Sequence, residues 1–216
     1  MFTHCPPKEL PNLESVTQAD GKRYYVTPNG KRLPSVTTVV GAKKKQVIME
    51  WRKRVGEEEA NRVSLHATTG GTALHKVCER YLDNEEDYFG NAMPHVRGMF
   101  NSIKHILDER IGVVYMQEVP LYSKHLRLAG RVDVIAEFDG VPSIIDFKTS
   151  KRTKTEEDIK DYFEQEAAYA VMYEERTKRT TCEHRAHGLP TQARARSTGR
   201  ALRAHLRTNM LKPEST

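Results

Sequence analysis

Several things are scarce in these 216 residues, and each scarcity narrows the reading. No apolar run approaches the roughly 20 residues needed to cross a bilayer, so a membrane-spanning role is not expected. Met1 to Pro11 has no apolar core of a secretory signal. Only three cysteines occur, Cys5, Cys78 and Cys182, odd in number and far apart. They do not form a disulfide framework and point to a reducing compartment, the cytoplasm, with a mitochondrial location left open. Gly70-Gly71-Thr72 lacks the Gly-Lys-Ser/Thr that ends a nucleotide-binding P-loop. From 177 to 216 there is no Val, Ile, Phe, Tyr or Trp, so this segment has little to bury and reads as a disordered basic tail.

The net charge of +6 is confined to that tail, because residues 1–176 carry nearly equal numbers of basic and acidic groups. A basic isoelectric point is therefore no evidence that the folded part binds nucleic acid. Cys182-Glu183-His184-Arg185-Ala186-His187 supplies at most three soft ligands and no second cysteine pair, so a structural zinc is not expected there.

What is present is a polar, globular chain with one informative stretch. Residues 1–20 are Pro-rich and polar, a flexible lead-in. Arg23-Tyr24-Tyr25-Val26 and Lys31-Arg32-Leu33 flank an Asn29-Gly30 turn, and Ser35 or Thr37 caps a short helix. A helix around Ile48 to Val55 presents Trp51 among basic residues. Lys43, Lys44, Lys45 and Arg52 read as phosphate contacts at a DNA entry path, or else as a solvated helix face. Helical periodicity runs from Ala60 to Ala67, is broken at Gly70-Gly71, and restarts with Thr72 as cap and Leu74, Val77, Cys78, Tyr81 and Leu82 as stripe. Another helix is predicted over Pro94 to Arg110.

At Gly112 the pattern changes to three strands in a meander: 113–122, 126–138 and 141–149, the last two joined by Asp139-Gly140. Side chains alternate along a strand, so Asp146 and Lys148 share one face while Ile145 and Phe147 share the other. Asp133 lies on the neighbouring strand. Carboxylates and a lysine gathered on a sheet suit a divalent cation with hard oxygen ligands. A helix then opens at Thr155 and runs to about Arg176. Ile159, Phe163, Ala167 and Ala170 are expected to face the sheet, and Gln165 and Tyr169 to sit together on an adjoining face.

These elements in this order resemble the PD-(D/E)XK nuclease superfamily, in its group of RecB-like phage exonucleases and mitochondrial genome-maintenance exonucleases. The matching pieces are Pro34-Ser35-Val36-Thr37, Gly71-Thr72-Ala73-Leu74-His75 with Glu79 and Tyr81-Leu82, Gly130-Arg131-Val132-Asp133, Asp146-Phe147-Lys148-Thr149-Ser150, and Gln165 with Tyr169.

The resemblance implies an α/β (α+β) fold, with a mixed sheet of the restriction-endonuclease-like type flanked by helices and an N-terminal helical part. The nuclease domain would span 21–176. The resemblance implies that His75, Asp133, Asp146 and the Phe147 carbonyl surround Mg2+, with Mn2+ as an alternative. Lys148 would activate water, Gln165 and Tyr169 would position the lysine or the phosphate, and Glu118 would be a further second-shell or second-metal carboxylate.

The implied activity is a metal-dependent DNA exonuclease acting at single-stranded or free ends, in recombination, replication or degradation. A non-catalytic nucleic-acid-binding protein and a structure-specific endonuclease are the alternatives. Relatives with iron–sulfur clusters use four cysteines, so no cluster is expected with three. The family's apolar strand after the Gln/Tyr helix is missing from 177 on, which points to a truncated or frame-shifted end.

Overall fold

The computed structural model describes residues 1–6, 9–150 and 154–178. A four-stranded mixed sheet runs in the order β1-β5-β6-β7, from strands Thr3–His4, Ile111–Ser123, Leu128–Phe138 and Val141–Ile145. The last three form the expected antiparallel meander, and β1 adds in parallel to β5. The Asp139-Gly140 turn has both residues at positive φ, the geometry that matches the twist of a hairpin. A smaller sheet, β2 (Glu14–Thr17), β3 (Arg23–Val26) and β4 (Arg32–Pro34), is tied to the start of β6 by a bridge between Ser35 and Ala129. The mixed sheet flanked by helices is the architecture that the resemblance implies.

The flexible lead-in is corrected. Residues 3–4 and 14–17 are paired strands, and Leu13 is buried. A short polar segment carries little periodicity of its own, and its structure comes from partner strands distant in sequence.

Four helices precede the meander's first strand. The first two of the chain are α1 (Val36–Ala42) and α2 (Lys45–Val55), and then come α3 (Glu57–Leu82) and α4 (Pro94–Arg110). Ser35 caps α1 by accepting the Thr38 backbone N–H at 3.0 Å. Gly56, at φ 88°, makes the turn between α2 and α3. Pro94 opens α4 where its missing N–H goes unused.

The break predicted at Gly70-Gly71 does not occur: α3 is one continuous helix of 26 residues. Each glycine costs about 1 kcal/mol relative to alanine in a helix interior. The helix runs through the pair regardless, and a Cβ would be in ordinary contact at both, 3.6 Å from His95 Nε2 on Gly70 and 3.8 Å from Thr149 Oγ1 on Gly71. Thr72 is therefore a mid-helix residue rather than a cap.

Helices α3 and α4 cover one face of the large sheet. Leu74, Cys78, Leu82, Phe100, Ile103 and Leu107 meet Val134, Ala136, Phe138 and Ile145 in one core. Truncating a residue buried like Phe100 to alanine costs about 3–5 kcal/mol. The other face is covered by α5 (Lys160–Thr177), which follows a 3₁₀ turn at Glu157–Ile159. Thr155 and Asp158 cap its entrance reciprocally, each side chain accepting the other's backbone N–H.

The face assigned to α5 needs correction. Ala167 is exposed, and the side turned to the sheet carries Gln165, Glu166, Tyr169, Met172 and Tyr173. Two polar residues occupy buried positions, so apolar periodicity misplaces the helix. No helix among the described residues is long and apolar enough to cross a membrane. The tail beyond Lys178, with its expected disorder and missing strand, lies outside the described residues, as does Cys182. Cys5 and Cys78 are free thiols.

Candidate active site

Strand register builds the site. Gln117 pairs with Val134 and Val119 with Val132, which places Glu118 opposite Asp133. Val134 pairs with Ile145, and the next step of the same register sets Asp133 beside Asp146. Three carboxylates thus lie in a row across β5, β6 and the end of β7.

Paired strand β7 stops at Ile145, four residues earlier than the sequence suggests. The reason is local: the Asp133 carboxylate, rather than a main-chain carbonyl, accepts the Phe147 backbone N–H at 2.8 Å. The alternation expected of Asp146-Phe147-Lys148 persists beyond the ladder. Phe147 is buried with the α3–α4 core, while Asp146 and Lys148 form an ion pair on the other side. Glu118 sits at φ 48°, a left-handed conformation that β-strand residues other than glycine rarely adopt.

Helix α3 brings in His75. Its Nε2–H donates to the Phe147 carbonyl at 2.7 Å, and its Nδ1 lies 3.4 Å from Asp133 Oδ2. Burial pulls the imidazole down in pKa, but the Asp133 hydrogen bond and charge, the Asp146 charge and the Phe147 carbonyl outweigh it, so the net shift is upward. His75, Glu118 and Asp133 each offer one ligand atom, and these atoms lie within 4.8 Å of one another. Burial and the charges of Asp133 and Glu79 push the Glu118 carboxyl above its usual range. Crowded carboxylates with one imidazole are a donor set that fits a divalent cation.

Asp146 is placed differently. Gln165 Nε2 donates to its Oδ1 at 2.8 Å, and the Lys148 ammonium sits on its Oδ2. Burial and the Asp133 charge push this carboxyl up, to about 6, against the pull of Lys148. Both carboxylate oxygens face donors of the chain itself, while His75, Asp133 and Glu118 group their ligand atoms beside it. The Phe147 carbonyl, also expected as a ligand, accepts from His75. Tyr169 is buried, and its ring lies over Gly130 so closely that a Cβ there would be 2.7 Å from Cε1 and 2.8 Å from the hydroxyl.

All of these side chains open on one cleft of about 530 Å3, whose rim includes Arg23 and Arg131. Sequence reasoning named Arg131 only within a motif and gave Arg23 no role. It also missed Glu166, beside Gln165. This residue is buried, its Oε2 has no hydrogen-bond partner, and burial followed by the Asp146 charge pushes its carboxyl to about 8, with Lys148 opposing.

The basic residues Lys43, Lys44 and Arg52, expected at DNA, are tied to the chain's own acids. Lys43 binds Glu164, Lys44 lies 2.7 Å from Asp161, and Arg52 pairs with Glu57 and Asn61. Lys45, the fourth, opens α2.

Comparison with known proteins bears on this arrangement. Mitochondrial genome maintenance exonuclease 1 of Mus musculus is 28% identical over 161 residues, which is 70% of this chain and 47% of that protein. The chain thus spans about half the length of this curated relative. A family model described as the PD-(D/E)XK nuclease superfamily matches residues 46–202, well over half of the chain. The chain belongs to the PD-(D/E)XK nuclease superfamily.

Proposed function

We propose that this chain is a metal-dependent DNA exonuclease, hydrolysing phosphodiester bonds at single-stranded ends in DNA recombination, replication or degradation. The observation that carries the reading is one cleft holding both the His75, Glu118 and Asp133 cluster and the Asp146–Lys148 ion pair. A pure binding protein has no need of crowded acids, which repel phosphate. The mouse relative is by name an exonuclease of mitochondrial genome maintenance, which supports DNA ends as substrate. The cytoplasm, or a host cytoplasm for a viral protein, is the proposed compartment, with the mitochondrion as alternative. We place the nuclease domain at 21–176, with the strands of 1–20 added to it.

In this reading His75, Asp133 and Glu118, with Asp146 and the Phe147 carbonyl alongside, would hold Mg2+, with Mn2+ as alternative. Such a cation would supply positive charge to the phosphoryl oxygens and would make a nearby water more acidic. Lys148, anchored on Asp146, presents a fixed ammonium to the phosphate and orients the attacking water. Gln165 holds Asp146 and so fixes the lysine. Tyr169 closes the floor of the cleft. As the P–O bond breaks, the leaving oxygen takes a proton from solvent.

The test is incubation of the purified protein with end-labelled single- and double-stranded DNA, with and without Mg2+. Progressive shortening from ends that needs the metal and is lost in Lys148→Ala is the expected result. Cleavage of circular DNA would replace the proposal with an endonuclease. Steeply salt-dependent binding without cleavage under Mg2+ or Mn2+ would make the chain a non-catalytic binder.

A further inference from the structure

We propose that a second site, whose lining shares no residue with the cleft of acids, holds the phosphate backbone of the same nucleic-acid strand. The inference rests on the nucleic-acid reading above and adds where the strand runs. Where the β3–β4 turn meets the β5–β6 turn there is a cavity of about 590 Å3, lined by Lys31, Arg32, Lys124 and Arg127. The four cations come from two segments some 90 residues apart in sequence, all four are exposed, and no Asp or Glu lines the cavity. None takes part in an ion pair among the described residues. Glu175, the acid that touches this turn, is directed instead at the Ser123 hydroxyl, 2.5 Å away, and the Lys124 backbone N–H, 2.9 Å away.

Like charges gathered in this way repel one another, and a polyanion relieves the repulsion. The chain contains a contrasting case in Lys43, Lys44 and Arg52, which are neutralised internally and offer a phosphate little. Position strengthens the argument. Arg127 stands in the turn one residue before β6, and Leu128, the first residue of that strand, lies about 17 Å from Asp133 at 3.3 Å per residue. Arg131, which lies between Arg127 and Asp133 along the chain, and Arg23 line the cleft and add positive charge to it. A single strand whose end lies at the cluster of acids would reach the cavity within the few nucleotides that a single-strand groove holds.

The test uses Lys31→Glu/Lys124→Glu, two exposed positions outside the proposed catalytic machinery. Binding of a two-nucleotide and a twenty-nucleotide oligothymidylate is followed by fluorescence anisotropy in EDTA over a salt series. The twenty-mer is expected to bind at least tenfold more weakly, with a salt dependence shallower by about two charges. The dinucleotide, too short to span the sites, should bind as to wild type. Unchanged twenty-mer binding, or equal weakening of both lengths, overturns the inference. Because binding is read without cleavage, an inactive wild type that still shows the length-dependent loss sinks the nuclease proposal and leaves this one standing.

Discussion

The two halves of the cleft solve the same electrostatic problem in opposite ways. On one side Asp146 receives Gln165 and Lys148, so the chain satisfies its own buried acid. On the other, Glu118 and Asp133 face each other across two strands with His75 beside them, and Glu118 is held above its usual pKa by burial and by that proximity. Like charges directly opposite on a sheet destabilise it. The first half is complete as folded. The second is complete only when positive charge arrives from outside, which is the property expected of a metal site.

Breaking the satisfied half should have the largest effect. Lys148→Ala removes the fixed ammonium and leaves a buried carboxyl with one partner, and we expect kcat to fall at least about 10²–10³-fold while DNA binding survives. Full activity in such a preparation would show that the lysine is structural. The uncompensated half should respond in two directions at once. Glu118→Gln should raise the Mg2+ concentration needed for half-maximal activity by about 10–100-fold. In EDTA it should stabilise the fold by about 0.2–1 kcal/mol in a denaturant titration, because one of two facing charges is gone. A variant less stable without metal would mean that Glu118 is not strained by Asp133.

Glu166 sharpens the contrast through pH. Its carboxyl is raised to about 8, so between its unfolded value of 4.5 and about 8 the folded chain holds a proton that the unfolded chain has released. Stability should therefore fall as pH rises through that window, and Glu166→Gln should flatten the slope and raise Tm at pH 8. A wild-type profile that is flat from about pH 5 to 8 would refute a protonated Glu166. The smallest effect belongs to Lys43, whose pair with Glu164 is exposed at both ends. Lys43→Ala should change stability by less than about 0.5 kcal/mol and leave DNA affinity nearly as it is.

These contrasts mark what could be read in advance. Asp133, Asp146 and Lys148 were legible because strand alternation is a local rule, and α4 because a proline marks its start. Glu118 was ranked too low, since its place opposite Asp133 is a matter of register between strands, which no local pattern records. Gly70-Gly71 misled because glycine lowers helix propensity without forbidding the helix, and α3 runs through the pair. The phase of α5 was misjudged because Gln165 and Glu166 are buried for the sake of the site, against their usual preference. The basic run at Lys43 suggested an interface because its acidic partners lie more than a hundred residues away in sequence.

Gly130 and Tyr169 carry one more consequence. The ring leaves no room for a Cβ at position 130, and any other residue there meets Cε1 and the hydroxyl inside 3 Å. Gly130 therefore cannot drift while Tyr169 stays: among descendants of this sequence the glycine is free to change only once the tyrosine has changed. A chain that keeps the tyrosine but has lost the glycine would be recognisable, from those two letters, as one whose cleft has been rebuilt.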